Sequence, residues 1–81
     1  MSNLNQLKEL KNVNRFDFTI PEKVFILENA NFTEEQEQIF QMLTGKHGRE
    51  SIVYIAFAMN MSETTVKRRI KQIKNKILRL L

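Results

Sequence analysis

Residues 59–77 read MNMSETTVKRRIKQIKNKI, and the fold turns on how this stretch is read. Val66, Ile70, Ile73 and Ile77 recur at the spacing of one face of an α-helix. At about 100° per residue, these four and Leu81 fall in a single narrow stripe. The opposite side carries Thr64, Arg68, Lys71, Asn75 and Arg79, flanked by Thr65, Lys67, Gln72 and Lys74. Ser62 stands where an N-cap is needed, and Asn60 tolerates the left-handed backbone of a tight turn. The spacing therefore predicts a helix over 62–81 with an apolar side turned to a core. Hydroxyls, an amide and cations face outward.

Immediately upstream, SIVYIAFAMN (51–60) is ambiguous by residue type. Ile52, Val53, Tyr54 and Ile55 favour a strand, whereas Ile52, Ile55, Ala56 and Met59 match the helical template. The turn and cap that follow decide for helix, giving a helix-turn-helix. Val53 and Phe57 point away from Ile52 and Ile55, so this helix is apolar nearly all round. Such a helix is ordinarily buried on every side. Residues 1–31, with Leu7, Leu10, Phe16, Phe18, Val24, Ile26 and Leu27, are expected to cover its second face.

Further out, FTEEQEQIFQML (32–43) pairs Thr33 with Gln36 as a capping box and places Glu34 and Glu35 in the first turn, where the helix dipole favours acids. Ile39, Phe40, Met42 and Leu43 form its predicted buried side, and Phe32 is placed to staple onto a neighbour. TGKHGRE (44–50) holds both glycines and reads as a loop. Pro21 suits the first turn of a helix ending near Asn29 to Asn31. SNLNQLKELKNV (2–13) predicts a short amphipathic helix from Leu4, Leu7, Leu10 and Val13. RFDFTI (15–20) alternates like an extended connector or a brief strand, and an exposed FDFTI edge would offer itself to another chain. Leu78, Leu80 and Leu81 form a second candidate patch for self-association. The expected fold is all-α: a small helical domain of four to five helices with a long C-terminal recognition helix. It spans 1–81 as one domain, with a helical extension over 1–31 and the helix-turn-helix core over 32–81.

Charge is divided unevenly. Residues 62–81 carry seven basic side chains against Glu63 alone, whereas residues 1–61 carry six basic and eight acidic ones. This asymmetry points to a polyanionic partner for the C-terminal piece. With no cysteine, the chain has neither disulfides nor thiolate ligands. His47, the only histidine, lacks the further donors a metal site needs. No phosphate-binding glycine loop or nucleophile elbow is present. No catalysis, cofactor or metal is expected. The longest apolar run, IVYIAFAM, is too short for a bilayer, so the expected protein is cytoplasmic, with no membrane partner.

Double-stranded DNA suits the outward face. The major groove is about 12 Å wide and admits one α-helix, whose N-terminal residues reach base edges. Short Thr side chains near the helix start permit close approach, and the remaining cations would meet phosphates.

FTEEQEQIFQML followed by IAFAMNMSETTVKRRIKQI resembles the LuxR-type DNA-binding domain and the related fourth region of bacterial sigma factors. Ile55, Ala56, Met59, Asn60, Met61, Ser62, Thr65, Val66, Lys67, Ile70 and Ile73 fall at the family spacing, and the resemblance covers roughly 32–78. Asn60 stands where the family usually has Gly, and the loop before the second helix is longer than usual. The likeness implies a bacterial transcription regulator. The family's base-contacting positions match Thr64, Lys67, Arg68 and Lys71, with Thr65 beside them. Its phosphate contacts match Arg49, Ser51, Ser62, Arg69 and Lys74.

Two functions follow as expectations. The first is a sequence-specific DNA-binding regulator acting as a homodimer or beside a co-regulator, because one such module reads few base pairs. The second is an adaptor of the same fold that docks its basic helix on an acidic protein such as RNA polymerase. RNA binding is less favoured, since no aromatic stacking platform is evident.

Overall fold

The computed structural model describes residues 13, 15–45 and 50–80. Among these residues the fold is all-helical, with four helices: α1 (Ile20–Asn29), α2 (Glu34–Leu43), α3 (Ile52–Met59) and α4 (Glu63–Leu78). The helix expected over 2–13 lies outside the described residues except for Val13. So do His47, Arg49 and Leu81.

Each helix begins on a hydroxyl. Thr19, Thr33, Ser51 and Ser62 accept from the backbone N–H three residues on. The caps of α1 and α2 are complete boxes: Glu22 answers Thr19, and Gln36 answers Thr33. Each box satisfies two backbone donors that the helix geometry leaves without partners. Pro21 sits in the first turn of α1, where its missing N–H costs nothing.

Phe40 is the hub of the interior. Phe16, Phe18 and Phe32 surround its ring, with centroids 6.3, 6.1 and 5.2 Å away. Ile26, Ile39, Leu43, Ile55, Val66, Ile73 and Ile77 are fully buried around this aromatic cluster, and Val13 joins them. α4 packs on α2 and α3 and contributes the longest apolar stripe. Burial of each Ile or Val there is worth on the order of 2 kcal/mol. Met42, expected inside, is half-buried at the core's margin.

Three expectations need correction. First, RFDFTI forms no strand: Phe16 turns the chain, its N–H bonded to the Val13 carbonyl at 3.1 Å, and 17–19 run irregularly into α1. The connector alternative holds. Phe16 is buried and Phe18 packs on the core, so neither ring is offered to another chain, although Ile20 at the start of α1 is exposed. The alternation arises because both rings seek Phe40 while Asp17 stays in water. Second, Val24 is exposed, not part of the cover.

Third, among the described residues the outer face of α3 is not covered, and Leu7 and Leu10 of the expected cover lie outside them. Val53, Tyr54 and Phe57 are 62, 50 and 84% exposed. Phe16, Ile26 and Ala30 from the N-terminal region do enter the core, Phe16 against Phe40, but they leave this face of α3 exposed. α3 is only eight residues long and buries a single side, through Ile55 and Ala56. At the C-terminus, Leu80 leans on the core while Leu78 is partly exposed.

Candidate nucleic-acid interface

α3 ends in a Schellman motif that sets the position of α4. Asn60 adopts φ 56° and ψ 50°, a left-handed conformation that Asn reaches more readily than most residues. Its N–H reaches the Phe57 carbonyl at 3.2 Å, and the Met61 N–H reaches the Ala56 carbonyl at 3.0 Å. Both bonds are those of the motif, so the last carbonyls of α3 are satisfied within the turn. Ser62 then caps α4 through the Thr65 N–H at 3.1 Å. The connection is three residues long, which leaves little freedom in how the two helices meet.

α4 presents three surfaces besides its buried stripe. The outermost pole carries Thr64, Arg68, Gln72, Asn75 and Arg79, all exposed. Lys67, Lys71 and Lys74 line the flank beside α3. They border a shallow groove of about 370 Å³ whose floor is Ile52 and Ile70. The flank toward α2 carries Thr65, Arg69 and Lys76.

The two flanks differ in their bonding. Arg69 Nε donates to Glu35 Oε1 at 2.5 Å, and this ion pair is partly exposed. Lys76 Nζ donates to the Asn31 carbonyl at 2.8 Å and to Gln36 Oε1 at 2.6 Å. By contrast, the side chains of Lys67, Arg68, Lys71 and Arg79 have no hydrogen-bond or ion-pair partner among the described residues. Lys74 rests its ammonium 5.8 Å from the centroid of the Phe16 ring, within cation–π range.

The residues expected to touch bases are therefore not equivalent. Thr64, Lys67, Arg68 and Lys71 stand exposed near the start of α4. Thr65 is half-buried, and its hydroxyl accepts from that of Ser62 at 2.9 Å, so it belongs to the cap. Among the residues expected at phosphates, Ser51 and Ser62 are exposed caps at the starts of α3 and α4. Lys74 lies beside the groove, Arg69 is paired with Glu35, and Arg49 is outside the described residues.

Sequence reading did not single out Lys76, and it did not pair Arg69 with Glu35. Glu35 and Arg69 lie 34 positions apart, so no local pattern joins them. The Thr19–Glu22 box was likewise not singled out, although TIPE carries its signature.

No family model matches the chain, and no curated protein or solved structure matches it.

Proposed function

We propose that this protein is a sequence-specific, double-stranded DNA-binding transcription regulator that inserts the start of α4 into the major groove. One observation carries the reading. α4 buries Val66, Ile70, Ile73 and Ile77 while the side chains of Thr64, Lys67, Arg68 and Lys71 stand exposed, without partners among the described residues, behind a tightly specified turn. A polar helix face left free of internal bonds and rich in cations suits base edges and phosphates. The resemblance of 32–78 to LuxR-type domains and sigma fourth regions supports the same assignment.

In this reading Arg68 and Lys71 reach guanine acceptors, and Thr64 permits close approach. Lys67 lies between base edge and backbone. Lys74 and the caps at Ser51 and Ser62 meet phosphates, which fix register without reading sequence. A module of this size reads few base pairs, so useful affinity calls for a second copy or a co-regulator on the same duplex. A selection from random duplexes tests the function. A recovered motif supports it, palindromic output adds a homodimer, and recovery without sequence preference contradicts it.

The adaptor reading is favoured by a different observation, the open apolar face formed by Val53, Tyr54 and Phe57. Exposed aromatic side chains beside a basic helix suit a protein partner such as RNA polymerase. If Arg68→Ala and Lys74→Ala both bind every duplex as the parent does, the adaptor reading takes over.

A further inference from the structure

The charge of α4 is usually counted as a whole when such a helix is read from sequence, yet its bonding divides that charge in two. Arg69 and Lys76 are seven residues apart and share the flank toward α2. Both are bonded to that helix's first turn: Arg69 to Glu35, Lys76 to Gln36 and to the Asn31 carbonyl just before it. Gln36 is itself buried, and its side-chain oxygen also closes the α2 cap by accepting from the Thr33 N–H at 3.0 Å. The bonds are thus anchored in an element that is already fixed. The opposite flank has no such anchor. Ile52, Lys67, Ile70, Lys71 and Lys74 line its groove, and no acid is among them.

We infer that Glu35 is a positioning residue that withholds Arg69 from any duplex, so that phosphate contact is confined to the α3-side flank and the outer pole. The inference rests on the DNA-binding reading above and deepens it. While its guanidinium is bonded to Glu35, whose carboxylate already neutralises it, Arg69 displaces no condensed cation from a phosphate. The flank toward α2 then faces away from the backbone, and α4 lies in the groove turned toward Lys67, Lys71 and Lys74. Arg69, which family spacing alone would set among the phosphate contacts, is an internal tie.

Salt dependence reads the number of phosphates neutralised, at about 0.9 in the log–log slope for each one. The test is binding of the full chain to a mixed-sequence DNA duplex over a salt series. The proteins are the parent, Lys74→Gln, Arg69→Gln, Glu35→Gln and the Glu35→Gln/Arg69→Gln pair, with helicity checked for each. Lys74→Gln is the positive control and lowers the slope by about 0.9. Arg69→Gln leaves the slope at the parent value. Glu35→Gln, the milder change, raises it by about 0.9 when Arg69 is present and has no effect when Arg69 is Gln. An Arg69→Gln slope that falls as far as Lys74→Gln overturns the inference and leaves DNA binding intact. So does a Glu35→Gln slope equal to the parent's. A parent that binds no duplex overturns the functional reading itself and this inference with it.

Discussion

Lys76 Nζ donates across 2.6 Å to Gln36 Oε1, the same oxygen that accepts the Thr33 N–H to close the cap of α2. One side-chain amide thus serves the start of α2 and the end of α4 together. Gln36→Ala removes both bonds and leaves the Thr33 N–H without its side-chain partner. Loss of a cap partner and of a hydrogen bond from a charged donor should lower unfolding free energy by about 1–2 kcal/mol. Chemical denaturation monitored by circular dichroism measures it. A midpoint equal to the parent's would show that the bond contributes nothing net.

The aromatic hub gives the largest stability effect. Phe40 is fully buried and touches Phe16, Phe18 and Phe32. Truncation to Ala should cost about 3–5 kcal/mol. For a domain this small, that is a large share of total stability. The expected outcome at ordinary temperature is substantial loss of cooperative melting.

At the turn, Asn60 holds a left-handed conformation. Asn60→Gly removes the side chain from a position where Cβ is a burden, and should leave stability unchanged or raise it by up to about 1 kcal/mol. Asn60→Val forces a β-branched residue into the same conformation and should cost about 1–2 kcal/mol. Equal stability of the two variants would contradict the Schellman geometry.

Features of the fold differ in how visible they are from sequence. Asn60 is legible because αL tolerance is a property of the residue itself. The Thr33–Gln36 box is legible because its partners lie three positions apart. The stripe of Val66, Ile70, Ile73 and Ile77 is legible because burial imposes the helical period. Other features have no local signal. Glu35 and Arg69 meet only because α2 packs against α4. The alternation in RFDFTI mimics a strand because a loop, too, can send every second ring inward. For α3, all-round apolarity predicts burial, but a helix of eight residues touching one side leaves Phe57 in water. The same limit applies to the candidate site. Periodicity separates inward from outward side chains on α4, but not the cations bonded to α2 from those left free.

Base reading and phosphate contact should separate by mutation. Arg68→Ala should reduce discrimination between the preferred site and a scrambled one by about 1–3 kcal/mol. Lys74→Ala should weaken both duplexes alike and lower the salt slope by about 0.9. Lys74 also lies over the Phe16 ring, so its melting temperature is read alongside. Equal weakening of both duplexes by Arg68→Ala, with discrimination kept, would place Arg68 on the backbone rather than at a base.

Titration of the isotopically labelled chain with a short duplex, followed by amide chemical shifts, tests the central claim most directly. If the start of α4 enters the groove, the largest changes fall within residues 62–75, centred on Thr64, Arg68 and Lys71, while α1 stays unperturbed. Changes concentrated in α1 or on the Val53–Phe57 face, or no changes on adding DNA, would contradict the account.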